Sequence, residues 1–385
     1  MKPDDPPGTD SLTGLAGRAG AILTIDLDAA ARNYRQLRAR LTNAECAAVV
    51  KADAYGLGMD RLAPVFARAG AESFFVATID EGIRLRAILD DSGHPECTIY
   101  VLNGPLPGTE GDLIAARLIP SLNSLGDLDL WTAAGRQRGV RLPAALQVDT
   151  GMSRLGLPDD ELETLAESPK RLEGIQLQLV LSHLACADMA DDAGNPAQRD
   201  RFRAALDSLP KAPASLANSS GIFLGEDYHF DLARPGVALF GVNPTPGHDN
   251  PMERVVTLQA RVLQVRQIDA HRGVGYGATF RAAGPTRIAT IAAGYADGYL
   301  RHLSNRGQVA IGERLAPVAG RVSMDSITVD VTALPHDAVK PGDFVELIGD
   351  SHDQDALAEE AGTIGYEILT ALGARYQRVY RGGDA

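Results

Sequence analysis

The chain has 385 residues, 45% of them hydrophobic and 5% aromatic, with a formal net charge of −13 at pH 7. That length exceeds one typical core, so two domains are expected, and the composition is that of a soluble α/β enzyme rather than a disordered or fibrous chain. The acidic balance argues against a nucleic-acid backbone as the main partner, which would call for excess Lys and Arg, and leaves small molecules as the expected ligands.

Residues 1–20 carry several Pro and Gly, Asp4 and Asp5, and no apolar core of a secretory signal, so they read as a disordered arm. From Ala21, AILTIDLD alternates as a half-buried strand, and Asp28 then caps a helix over Ala29 to Arg40. Eight short apolar runs follow, at Ala47–Val50, Phe74–Ala77, Thr98–Leu102, Leu118–Leu122, Ala145–Val148, Ile175–Leu181, Ser215–Ala217 and Phe230–Ala233. Amphipathic segments separate them, among them Asp60–Ala69, Asp80–Leu89, Ser124–Arg138, Asp159–Ala166 and Gln198–Leu209. Strict alternation of this kind implies parallel βα units, and eight of them close into a (β/α)8 TIM-type barrel over 21–243. A doubly wound open sheet is the alternative, weakened because no GxGxxG opens the first unit. PTPGHDNP then marks a connector, and 244–385 reads as a mainly antiparallel β domain with one late helix, Thr363–Leu372, and a last strand, Arg375–Tyr380. The strand near 21–27 is free to pack with that domain.

Cys46, Cys97 and Cys186 are odd in number and lack CxxC spacing, so neither a disulfide framework nor a zinc site is expected, and a reducing cytoplasm fits. No apolar run reaches membrane-spanning length, so no membrane partner is expected.

The chemistry gathers at the strand ends, where barrels place it. Lys51 ends the first strand, Asn103 the third, Asn123 the fourth, Asp149 the fifth, His183 the sixth, Asn218 and Ser219 the seventh and Arg234 the eighth. A lysine at the edge of an apolar pocket loses solvation, its pKa falls, and its free amine becomes a Schiff-base nucleophile or a base. Taken alone, a terminal lysine is more often simply solvated. NSSG and ARPGVAL after strands seven and eight offer hydroxyls, glycines and main-chain amides where barrels often bind phosphate. A phosphorylated carbonyl cofactor reaching from there to Lys51 describes pyridoxal 5′-phosphate (PLP). Arg234 can donate to the pyridine nitrogen but cannot accept from it, which favours brief deprotonation and reprotonation at Cα.

Nine segments in order, VVKADAYGLG around Lys51, TGMSRLG, SHLACAD, NSSG, RPG, GYGATF, GYADGY, GRVSMD and TIGYEI, resemble the alanine racemases. The match runs from about Ile22 to the C-terminus. The resemblance implies a PLP-binding barrel, a C-terminal β domain and a cytoplasmic homodimer whose active sites are shared between subunits, interconverting L- and D-alanine and supplying D-alanine for peptidoglycan. It makes Lys51 the cofactor lysine and one base, and Tyr276 the base on the opposite face. Likewise by resemblance, His183 lies beside Arg234 and hydrogen-bonds the borrowed Tyr276. Arg154 and the main chain at Met324 bind the substrate carboxylate. Tyr55, Asn218, Ser219, Gly236, Val237 and Tyr366 hold the cofactor, and Asp188, Arg301 and Arg321 line the entrance. One departure stands out. Gln147 occupies a position where many relatives carry a carbamylated lysine that props the arginine, so the Arg154 grip is expected to be looser or oriented by the amide oxygen.

Three other readings compete. A PLP-barrel decarboxylase would favour an acidic partner for the ring nitrogen, a non-catalytic PLP carrier would lack the domain supplying Tyr276, and a metal-dependent hydrolase would call for HxH or HExxH spacing, which the eight scattered histidines do not form, so no metal is expected.

Overall fold

A computed structural model describes residues 17–383 and divides them into two compact units, one of residues 28–253 and one of residues 17–27 with 254–383. The expected disordered arm lies outside the described residues as far as residue 16; beyond that, the carbonyls of Ala19 and Gly20 accept from Nε and the main-chain N–H of Arg261 at 3.0 and 2.7 Å. Strand β1 (Ala21–Asp26) belongs to the second unit, while PTPGHDNP stays with the first.

The first unit is a ring of parallel strands. β2 (Glu45–Cys46) and β3 (Ala48–Val49) are two pieces of one position, followed by β4 (Ser73–Val76), β5 (Thr98–Val101), β6 (Leu118–Leu122), β7 (Leu142–Gln147), β8 (Ile175–Leu181), β9 (Ala214–Ser215) and β10 (Leu232–Ala233). β3 to β9 pair in sequence order, and β10 pairs with β2. Main-chain bonds from Asp231 to Ala214 and from Arg234 to Ala217, at 2.9 and 2.8 Å, join β9 to β10, so eight positions close into the expected barrel. Strands buried on both faces cannot alternate, which is why β4 reads SFFV and all four residues are buried.

The helices wrap this ring: α1 (Leu27–Ala39), α2 (Met59–Arg68), α3 (Ile79–Asp91), α4 (Glu110–Ala115), α5 (Leu125–Arg138), α6 (Asp159–Glu167) and α7 (Gly194–Ser208). α2 buries Leu62, Val65 and Phe66 at helical spacing, and the Phe66 ring lies 6.2 Å from Tyr34 and 5.9 Å from Phe240. Two features differ from the sequence reading. α4 is too short and acidic to announce itself by periodicity, and α7 starts four residues early because Pro196 is tolerated in a first turn. After β9 and β10 the chain makes only short 3-10 turns, Ser220–Leu224 and Glu226–Tyr228 after the first and Val237–Phe240 after the second.

The second unit is built on β11 (Val256–Ile268), which carries β1 antiparallel on one side, with Ile22 opposite Gln259. It also contains the β12 (Gly273–Val274) and β13 (Phe280–Arg281) hairpin, β14 (Thr286–Ile291), β15 (Gln308–Ile311), β16 (Arg314–Pro317), β17 (Ile327–Asp330), β18 (Phe344–Ile348) and β19 (Gln377–Arg381). The main sheet runs β16-β15-β18-β11-β1-β19, with β14 branching from β11 and β17 pairing with β14, and all its pairs but β1–β19 are antiparallel. Two late helices stand where one was expected. Asp353 caps α8 (Gln354–Ala361) through the N–H groups of Asp355 and Ala356, and Gly362 ends it at φ 68° before α9 (Gly365–Ala371). Among the described residues no helix is long and apolar enough to cross a membrane.

Candidate active site

Lys51 follows β3 after one residue, Val50, and the four residues after it turn the wrong way for L-amino acids. Ala52, Asp53, Ala54 and Tyr55 have φ of 53°, 54°, 53° and 55°. A left-handed turn of non-glycine residues is costly, and main-chain hydrogen bonds help to hold it. Ala54 N–H donates to Val50 O at 2.8 Å, Gly56 N–H to Ala52 O at 2.7 Å and Gly58 N–H to Asp53 O at 2.9 Å. Glu81 anchors the turn from α3, accepting Ala52 N–H at 2.7 Å on one oxygen and Ala77 N–H at 2.8 Å on the other. The sequence reading missed Glu81, although the Thr78-x-x-Glu81 capping box that fixes it is legible in the sequence. Loss of solvent pulls the Lys51 amine below its ordinary pKa, the nearby charges of Arg154 and Arg234 pull the same way, and Glu81 opposes them.

Arg234 follows β10 and is buried. It donates to Ser182 O at 2.6 Å and to the Ser215 hydroxyl, and its Nη2 lies 3.4 Å from Nδ1 of His183. Burial lowers its pKa to about 10, which leaves it charged at neutral pH. Desolvation and the positive charges of Arg234, Arg154 and Lys51 push the His183 imidazole down to about 3. Ser182 and Ser215 were not picked out from sequence; nothing local distinguishes a serine that aims an arginine from any other in a strand.

On the neighbouring strand end, the Ser219 hydroxyl accepts the N–H groups of Gly236 at 2.9 Å and Ala238 at 3.3 Å. A methyl group on Gly236 would lie 2.2 Å from the Tyr55 hydroxyl oxygen, so the phenol, the glycine and the serine form one tight cradle, with Val237 opening the following turn. Hydroxyls and main-chain amides without a carboxylate suit a phosphate, and together with a lysine of lowered basicity and a buried arginine they fit a phosphorylated carbonyl compound. Asn218 serves its own turn, its Oδ1 accepting Gly221 N–H at 2.9 Å.

Arg154 projects from the loop after β7 and is exposed. Gln147 is buried beneath that loop and its amide nitrogen donates to Leu155 O at 3.2 Å, so it ties the backbone next to Arg154 through its nitrogen rather than through the amide oxygen that was expected to orient the guanidinium. Asp188 is exposed and lines a surface cavity of about 710 Å³ together with Met189, Phe223 and His248.

The remaining expected residues lie on the second unit. Tyr276 opens a turn between β12 and β13, with Gly275 and Gly277 at φ 68° and 72°, and is 72% exposed. A methyl group on Gly277 would stand 3.0 Å from Nη1 of Arg321, which places that guanidinium against the same turn. The Met324 carbonyl accepts Ala296 N–H at 3.0 Å, the Arg301 carbonyl accepts the Ser304 hydroxyl at 2.6 Å, and Tyr366 lies in the first turn of α9.

Residues 25–244 match the family model for the alanine racemase N-terminal domain, and residues 255–380 match that for the C-terminal domain. The chain is 53% identical over 365 residues to the catabolic alanine racemase of Mesorhizobium japonicum, covering 95% of this chain and 94% of that protein. It is 49% identical over 370 residues to the alanine racemase of Rhodospirillum rubrum, covering 96% and 98%. The crystal structure of alanine racemase from Bartonella henselae with covalently bound pyridoxal phosphate superposes with a TM-score of 0.91 at 44% identity, covering 94% of this chain and all of that one. With family models matching along both units and relatives near half identical over almost the full length, this protein belongs to the alanine racemase family of isomerases.

Proposed function

We propose that this chain interconverts L- and D-alanine with PLP held by Lys51, using Lys51 and Tyr276 as bases on opposite faces of the substrate. The observation that carries this reading is the lowered basicity of Lys51 beside the buried, charged Arg234, next to a cradle suited to phosphate. When bound, the cofactor supplies an electron sink that makes the α-hydrogen of the amino acid acidic. Lys51, its amine made less basic by loss of solvent, exchanges a proton with Cα on one face. The Tyr276 hydroxyl does so on the other, and two bases on opposite sides remove any need to turn the substrate over. Arg234 has no acceptor to offer a ring nitrogen, so it donates there and withholds a proton. His183 accepts from Arg234 on Nδ1, which leaves its proton on Nε2 to donate to the Tyr276 oxygen and tune its basicity. Arg154 and the Met324 main chain grip the carboxylate, Tyr55, Ser219, Gly236, Val237 and Tyr366 hold the phosphate, and Asp188, Arg301 and Arg321 line the way in.

Tyr276 reaches the site of a second copy in a homodimer whose active sites are shared. Exposed apolar groups on the second unit, Tyr276, Met324, Ile364 and Tyr366, support such an interface. The enzyme works in the cytoplasm, and its D-alanine supplies peptidoglycan synthesis. Incubating each enantiomer of alanine with the PLP-loaded protein and following the other by chiral chromatography tests the reaction. Tyr276→Phe should lose both directions while keeping the cofactor, and retained racemisation would remove Tyr276 from the mechanism.

A further inference from the structure

Asp149 ends the fifth barrel strand and takes no part in the chemistry above. One oxygen of its carboxylate accepts three successive main-chain N–H groups, from Gly151 at 2.9 Å, Met152 at 2.9 Å and Ser153 at 3.1 Å. The loop it organises is closed at the neck by Asp149 N–H to Leu157 O at 3.0 Å and Leu157 N–H to Gln147 O at 2.9 Å. Within that loop Gly151, Ser153 and Gly156 have φ of 134°, 56° and 106°. The excursion is therefore strained, Ser153 most of all because it carries a side chain, and the carboxylate is what gathers its free N–H groups. Arg154 comes next. Its exposed guanidinium has no hydrogen-bond or ion-pair partner among the described residues, so its aim is set by the backbone from which it grows.

We propose that Asp149 is a positioning residue for Arg154, fixing the loop so that the guanidinium is already in place when a small carboxylate arrives. The inference rests on the reading of Arg154 as the carboxylate grip. A long side chain on a mobile loop loses freedom when it binds, whereas a backbone pinned by a charge-assisted fan of three hydrogen bonds has lost it beforehand. The gain falls on substrate binding and leaves the cofactor untouched.

The test uses the PLP-loaded enzyme. Asp149→Ala should raise KM for L- and D-alanine alike by about ten- to a hundred-fold, with a smaller change in kcat, and weaken competitive inhibition by propionate by the same factor. The visible absorbance of the bound cofactor should not move. Asp149→Asn, which keeps an oxygen acceptor, should recover most of the loss. In an Arg154→Ala background, Asp149→Ala should add nothing further. Should the alanine variant not fold, Asp149→Ser carries the same expectation, because a hydroxyl on a shorter arm cannot take three donors at once. An unchanged KM, or effects that add in the double variant, overturns the proposal. If Arg154→Ala alone leaves KM and propionate inhibition unchanged, the carboxylate role of Arg154 fails and the proposal with it.

Discussion

Nη2 of Arg234 stands 3.4 Å from Nδ1 of His183, so a guanidinium charged at neutral pH faces an imidazole that must stay neutral to receive it. The pKa of His183 is lowered from 6.5 to about 3, first by desolvation and then by Arg234, Arg154 and Lys51. An unfolded chain therefore takes up this proton before the folded one does. Above pH 6.5 the residue does not affect stability, and from pH 6.5 down toward 3 each step of acid favours unfolding by about 1 kcal/mol per pH unit. His183→Gln should flatten that part of the curve of melting temperature against pH, measured by calorimetry. An acid slope identical in the two proteins would show that the imidazole is not held neutral.

Lys51 makes a prediction of the same kind for the cofactor-free protein. Its pKa is lowered, so the unfolded chain stays protonated up to 10.5 while the folded chain gives its proton up earlier. The folded state is therefore penalised at neutral pH, and the penalty fades as pH rises toward 10.5. Lys51→Met, close in size and uncharged, should melt at a higher temperature than the parent at pH 7 when both lack PLP, with the gap closing in alkali. Glu81→Gln removes the one group that raises the Lys51 pKa and should widen the penalty. Equal melting temperatures across the whole range would contradict the desolvated lysine.

How much of this was legible varies by element. Short apolar runs at regular spacing carry the barrel, because strands covered on both faces have little freedom in composition, and β4 to β8 fall within a few residues of where the sequence puts them. α4 and α8 escaped notice since one is six residues long and the other is defined by its Asp353 cap and Gly362 stop more than by an apolar stripe. Lys51, His183, Arg234 and Ser219 stand out as polar residues at strand ends. Glu81, Ser182 and Ser215 do not, because each acts on a main-chain or guanidinium group distant in sequence. The left-handed turn is also hidden, since Ala52, Asp53 and Ala54 show nothing locally that would favour it over a helix.

The cradle around Gly236 makes a steric prediction. A Cβ there would sit 2.2 Å from the Tyr55 hydroxyl oxygen and 3.0 Å from its Cζ. Tyr55 cannot easily give way, because its backbone lies at φ 55° and its ring packs 5.0 Å from Phe240. Gly236→Ala should weaken PLP retention by about ten-fold, roughly the loss of one positioned hydrogen bond. Tyr55→Phe removes the nearest atom, so the double variant should bind PLP better than Gly236→Ala alone, as read by titrating cofactor into the stripped protein. A double variant worse than either single one would place the conflict elsewhere.

The turn after Lys51 offers a way to measure strain directly. Each left-handed residue with a Cβ costs roughly 1–2 kcal/mol, and four stand in a row. Ala52 is the exposed one, so its methyl group contributes little packing. Ala52→Gly relieves the steric conflict and forfeits about 0.4–1 kcal/mol through the freer unfolded chain, for a net gain of about 0.5 kcal/mol in unfolding free energy by denaturant titration. Glu81→Ala should act the other way, losing about 1–3 kcal/mol, because the N–H groups of Ala52, Ala77 and Thr78 lose their acceptor together. The two changes touch the same turn, so their effects should not add: once glycine has removed the strain at Ala52, less depends on the carboxylate that holds it. If Ala52→Gly instead destabilises as it would in an ordinary helix, the turn is relaxed, and the lysine it follows is held in place by packing alone.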